Sequence, residues 1–223
     1  MATPIDIVLE TGVKRTFATA LGWPGWSRSG RDDASAIEAL DAYGPRYHAV
    51  VAGIRGAGRL RSARSFEVVE RLAGDAGTDF GVPAAAASAD AEPVGDRELD
   101  RLASILWACW HAFDSTAAAS DDVELARGPR GGGRDLAKIR AHVDEAEAAY
   151  LRSLGGRTPS GGDRGAVRDA FIAALGARAR GELPDTGPRG GARWTARYAV
   201  RRSAWHALDH AWEIEDRGGR ASR

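Results

Sequence analysis

The chain has 223 residues with 31 basic and 31 acidic side chains. A formal net charge of zero excludes a globally basic nucleic-acid binder and a polybasic membrane-surface protein, and 43% hydrophobic residues exclude wholesale disorder. A single cysteine, Cys109, excludes an intrachain disulfide and a Cys-rich zinc or iron–sulfur site.

No uncharged apolar run approaches the ~18 residues that a membrane span needs. The first residues, MATPIDIVLETGVKRT, lack the basic and apolar regions of a secretory signal, so the expected location is the cytoplasm. In chain order, Ile5, Ile7 and Leu9 alternate with polar Asp6 and an ambiguous Val8, which predicts a strand. Thr11-Gly12 signals a turn, and Phe17, Thr19 and Leu21 continue a second extended run. Trp23-Pro24-Gly25-Trp26 interrupts it, because Pro has no amide to donate and Gly favours a turn. Asp32 or Asp33 can cap a helix from Ala34, with Ile37, Leu40, Tyr43 and Tyr47 on one face and a break at Gly44-Pro45. Residues 55–62 read as loop, and Phe66 to Leu72 as a third strand or short apolar segment.

Residues 74–95 are rich in Ala, Gly, Asp and Pro and read as a connection that proteolysis would nick first. From residue 96 the period becomes helical. Leu99, Leu102, Ile105, Leu106, Cys109, Trp110 and Phe113 form the apolar face of a first long helix. Asp135 opens a second, with Leu136, Ile139, Val143, Ala146, Tyr150 and Leu154 in one stripe. A third runs from about Arg164 to Arg180, with Val167, Phe171, Ala174 and Leu175 inward. Thr195 can cap a fourth, to about Asp216, with Tyr198, Trp205, Leu208 and Trp212 in register. The expected fold class is α+β: a small αβ unit over residues 1–75, a linker over 76–95 and a four-helix bundle over 96–217.

Five histidines are present, and His206 and His210 lie four apart on the fourth predicted helix. That spacing puts both imidazoles on one helix face, within reach of one ion. His142 lies beside the core stripe of the second helix. Three neutral imidazoles from two packed helices can form an open metal face, with water or substrate in the free positions. Glu213, one turn beyond His210, is a candidate fourth ligand, a partner that orients a ligand, or the catalytic base; a solvated helix-end carboxylate is the alternative. Asp209 lies about 100° around the helix from His210 and is the poorer base. His48 and His111 lack partners at ligand spacing and read as structural, and Cys109 as packed core.

The segments IRAHVDEAEAAYL (residues 139–151) and RSAWHALDHAWE (202–213) resemble the DinB superfamily over residues 96–217. The resemblance implies a four-helix bundle in which His142, His206 and His210 bind a divalent metal, zinc foremost, with nickel or iron as alternatives. It implies activation of a thiol or water. Its relatives include mycothiol- and bacillithiol-dependent transferases and isomerases, so the partners it implies are a low-molecular-weight thiol such as mycothiol and an electrophilic substrate. A homodimer is compatible with it, and neither membrane nor nucleic acid is implied.

The stretch from Phe17 to Leu40, with Pro24-Gly25, Gly30 and Glu38-Ala39-Leu40, resembles the HicB-like antitoxin fold, a small β-β-α-β unit. It implies an alternative in which the protein is non-enzymatic, the first unit binds a partner and the bundle is scaffold. A metal-dependent regulator without turnover is a third reading. The loops GPRGGG at 128–133 and GPRGG at 187–191 precede His-bearing helices; Arg130 or Arg189 could hold an anion there, or the loops are plain connectors. Arg189, Arg193, Arg197, Arg201 and Arg202 form a basic run that could receive the carboxylates of a thiol cofactor or be a solvated helix face; Arg193, Arg197 and Arg201 share one face, which favours a local anion site, with Arg197 and Arg201 as the candidate cofactor-binding pair.

Overall fold

The computed structural model describes residues 4–61, 65–127 and 133–219. In chain order its elements are strands β1 (Ile5–Thr11), β2 (Thr16–Ala20) and β3 (Ser27–Gly30), helices α1 (Asp33–Ala42) and α2 (Gly44–Val51), strand β4 (Phe66–Ala73), and helices α3 (Ala76–Phe80), α4 (Asp96–Ala118), α5 (Leu136–Leu154), α6 (Arg164–Ala179) and α7 (Ala196–Arg217). The protein is α+β, with a four-stranded sheet and a helical C-terminal region. No described helix is long and apolar enough to cross a membrane.

The sheet runs β3-β2-β1-β4, with β4 parallel to β1 and the other pairs antiparallel. The sequence reading missed β3, because Ser-Arg-Ser-Gly has no apolar alternation. Its place comes from backbone pairing to β2. The ambiguity at Val8 has a physical origin: both faces of the central strands are covered. Ile5, Ile7 and Leu9, with Ala18 and Ala20, join Leu40, Tyr47 and Val51 in the core. On the opposite face Val8, Glu10, Phe17 and Thr19 are also buried. There Phe17 meets the edge of Trp205 on α7, with centroids 6.2 Å apart.

The Trp23–Trp26 turn docks the sheet onto the helices. Trp26 stacks on Tyr47 at 5.3 Å and donates from Nε1 to the Leu40 carbonyl, while the Tyr47 hydroxyl donates to the Pro24 carbonyl. Gly25 has φ +95°, and a Cβ there would lie 3.0 Å from Leu208 and 3.2 Å from Cys109 Sγ. Conformation and space both require glycine, since the turn wedges between α4 and α7. Asp32 caps α1 in a reciprocal box with Ser35, and Asp135, Asp163 and Thr195 cap α5, α6 and α7.

Residues 76–95 hold the sheet against α7. The buried Glu10 carboxylate accepts from the Thr78 hydroxyl at 2.5 Å and from the backbone amides of Ala84 and Ala85 at 3.1 and 3.0 Å. Tyr198 donates to the Ala84 carbonyl, and Arg201 forms a buried, two-pronged ion pair with Asp90. One apolar cluster runs from Ile5 to Ile214. This tethering alters the proteolysis expected from composition. Trypsin-free limited digestion, for example with thermolysin, should spare 82–92 in the native protein and cut it early in Glu10→Ala, where three donors lose their acceptor. Early cutting of the native protein there would contradict the clamp.

α7 is the central element. It packs on α4 and α5, touches α6, and meets the 3-10 turn Ser88–Ala91 on another side. It is therefore buried almost all round, although its sequence reads as a helix with one apolar stripe. A second feature hidden from apolar periodicity is an ion network between α4, α5 and α6. Arg168 on α6 makes two 2.9 Å bonds to Glu147 on α5 and reaches Asp114 on α4 at 2.6 Å. Arg168 and Glu147 are each only 4% exposed.

Candidate metal centre

The spacing on α7 places Arg202, His206 and His210 on one line, one turn apart, facing α5. His142 on α5 meets that line. The rings of His142, His206 and His210 form a triangle, with centroid separations of 5.0, 5.0 and 4.6 Å. One ligand nitrogen from each lies within 4.8 Å of the others. His142 Nε2 and His206 Nε2 are 3.2 Å apart. Two nitrogens on one tetrahedral zinc at ordinary bond lengths would be about 3.3 Å apart, so this pair already has coordination spacing. Small rotations of the rings would bring in the third.

Burial, then the neighbouring His210 and Arg202 charges, hold the His206 pKa well below its usual value. Burial lowers that of His142 too, followed by Arg134 and His210. Both shifts favour the neutral ring, the form that offers a lone pair to a metal. His210 donates from Nδ1 to Glu213 at 2.8 Å, which leaves Nε2 as its free nitrogen.

Glu213 is where the sequence reading placed it, beside His210, but its environment narrows its role. One oxygen accepts from His210 and the other from Arg217 at 2.6 Å. Burial opposes its charge, but the His210 and Arg217 contacts prevail and its pKa is lowered. A carboxylate engaged at both oxygens fits orientation of an imidazole better than proton transfer. Glu213→Gln should accordingly weaken metal affinity about 10–100-fold, as losses of such orienting partners do. Competition against a chelator measures this; unchanged affinity would separate Glu213 from the centre.

Asp209 points elsewhere, to Arg28 on β3 at 3.2 Å. His111 lies on α4, exposed, with Ser115 as its neighbour at 3.5 Å, and His48 lies on α2; neither joins the cluster. Cys109 is fully buried, and burial pushes its thiol pKa up, so it is packed core rather than a nucleophile.

The expected anion pair, Arg197 and Arg201, is not brought to the histidines. Arg197 is bound to Glu98 and to the carbonyls of Glu92 and Pro93, and Arg201 to Asp90 and the Ala85 carbonyl. Both charges are paired in fastening α7 to residues 85–98. Arg130 and most of its loop lie outside the described residues. Arg189, with Arg152, Arg157, Arg193 and Trp194, lines an open groove of about 1020 Å³. Trp194 lies 5.1 Å from Tyr150, which in turn lies 5.5 Å from His206.

Arg202, the last member of the basic run read from the sequence, is placed differently from Arg197 and Arg201. It is 9% exposed and makes no hydrogen bond or ion pair among the described residues, and its Nη1 is buried without a partner. Its guanidinium lies 4.6 Å from the Trp205 ring and 5.4 Å from the Tyr150 ring. A desolvated cation–π contact stabilises by about 2 kcal/mol, whereas taking a guanidinium out of water costs several kcal/mol even after relaxation. The rings therefore do not substitute for a counter-ion. The available signal was its spacing: Arg202 stands four before His206, on the histidine line.

No family model, curated protein or solved structure matches the chain.

Proposed function

We propose that this protein binds one divalent metal ion through His142, His206 and His210, and that it is an enzyme acting with a low-molecular-weight thiol on an electrophilic substrate. The observation that carries the metal reading is the convergence of three imidazole nitrogens within 4.8 Å, from two helices. The likeness of residues 139–151 and 202–213 to the DinB superfamily supports the same ligand set, a bundle of that type, and the thiol chemistry. Zinc suits neutral imidazoles and an open coordination position; nickel and iron are the alternatives. A bound ion of this kind lowers the pKa of a thiol or water and supplies a nucleophile near neutral pH. The chain's own contribution is to keep His142 and His206 neutral by burial, to fix the His210 tautomer through Glu213, and to wall the site with Tyr150 and Trp205.

The test has two stages. Elemental analysis of untagged protein should find about one ion per chain. The metal-loaded protein is then screened with mycothiol and other small thiols against a panel of electrophiles. Absence of metal removes the proposal entirely. Metal without turnover removes the enzymatic half and favours a metal-dependent regulator.

A further inference from the structure

Three arginines of the described residues are almost wholly buried: Arg168, Arg201 and Arg202. Two have their charge answered within the fold, Arg168 by Glu147 and Asp114, and Arg201 by Asp90. Arg202 has no carboxylate partner among the described residues. The residues outside the described set contain no Asp or Glu side chain that could supply one. A buried cation without a counter-ion is a poor structural element, because the desolvation cost stands uncompensated.

A second buried donor stands beside it. Trp205 is 5% exposed and its Nε1 also lacks an acceptor. Its ring lies 4.6 Å from the Arg202 guanidinium and 6.1 Å from the His206 ring. Two residues with unmatched donors, one of them charged, thus stand next to the histidine cluster. Groups that donate and have nothing to accept define the chemistry of what fits: an anion with acceptor oxygens.

We infer that Arg202 is the anion-binding residue of the histidine site, and that the small molecule brought to that site carries a carboxylate. This rests on the reading of His142, His206 and His210 as the reaction centre. A carboxylate matches the planar guanidinium fork, and the flat Tyr150 and Trp205 rings suit a planar group more than a tetrahedral one. On α7 the Cα of Arg202 is about 6 Å from that of His206 along the axis. A carboxylate held by Arg202 would set the rest of a compact molecule within a few bonds of the imidazole nitrogens. Arg202 binds and orients in this assignment; it takes no part in bond making.

The probe is acetate, with acetamide as its uncharged counterpart and inorganic phosphate as a second anion. Each is titrated into the full chain, zinc-free and zinc-loaded, and the Trp205 indole N–H resonance is followed by NMR, assigned with Trp205→Phe. Acetate should shift it saturably in both forms, and acetamide should not. Arg202→Met should weaken acetate binding roughly 10–100-fold, the loss of a charge-assisted contact, with helical circular dichroism retained. Should that variant not fold, Arg202→Gln serves in its place, and Arg202→Lys should keep part of the affinity. Arg180→Ala, on an exposed pair with Glu182, should bind as the native protein does.

An absent or non-saturable shift, equal responses to acetate and acetamide, or undiminished binding in the charge-removing Arg202 variant would overturn the assignment. Uptake of phosphate in preference to acetate would overturn the carboxylate class. Acetate binding that needs zinc and ignores Arg202 would overturn the inference and leave the metal reading standing. Acetate binding at Arg202 in a protein that takes up no zinc would support the anion site and remove the metal reading.

Discussion

His206→Ala is expected to abolish stoichiometric metal binding. His206 is the most buried of the three candidate ligands: it is 6% exposed, and its Nε2 lies 3.2 Å from that of His142. Loss of an orienting partner weakens such sites about 10–100-fold, so loss of one of three ligands should exceed that. His142→Ala and His210→Ala should follow, whereas His48→Ala and His111→Ala should keep a full complement. The thermal readout is independent of activity. A ligand at about 1,000 times its dissociation constant stabilises the native state by about 4 kcal/mol. In a chain of this size each kcal/mol shifts the midpoint by roughly 2–4 °C. Zinc should thus raise the midpoint of the native protein by roughly 8–16 °C and leave that of His206→Ala in place. Full metal content in any of the three variants would strike that histidine from the site.

Glu147→Ala is expected to have the largest effect on stability. It leaves the Arg168 guanidinium, 4% exposed, without the partner that makes two 2.9 Å bonds to it. Removing one member of a buried pair costs about 3–5 kcal/mol when the survivor is left uncompensated; Arg168 keeps Asp114 at 2.6 Å, so the lower end applies, about 3 kcal/mol. That is a midpoint loss of roughly 6–12 °C. The double variant Glu147→Leu with Arg168→Met should recover most of the loss, since apolar replacement of a whole buried pair is often neutral. Asp114, the other partner of Arg168, is 38% exposed and keeps Arg164 at 2.9 Å, so it is not stranded by the double change. Thermal or urea denaturation followed by circular dichroism measures both. A double variant as unstable as the single would show that the network specifies the packing of α4, α5 and α6 beyond balancing charge.

Much of the helical architecture was legible because it rests on local rules. Asp135 and Thr195 cap α5 and α7 as their positions before apolar runs predicted, and Ile139, Val143 and Leu154 are inward. The histidine candidates were legible for the same reason. A four-residue step fixes two imidazoles on one face whatever the helix packs against, and His142 lay beside a core stripe. β3 was not legible, because a short polar strand is defined by its partner β2 and not by its own side chains.

Local sequence suffices for the four long helices, the caps of α5 and α7, their apolar stripes and the candidate histidines, but not for α3, which lies in a stretch read as a connection. Which charges find partners depends on the packing of distant segments. Arg201 and Arg202 are adjacent and look alike in sequence, but the 100° step between them turns one toward Asp90 and the other toward Tyr150 and Trp205. Nothing local sets Glu10 and Glu147 apart from surface carboxylates; the partners that bury them, residues 78–85 and Arg168, arrive from 68 to 75 and 21 positions away. The physical reason is range. Helix periodicity and capping act over four residues, whereas desolvation and ion pairing depend on whatever the fold brings within about 4 Å.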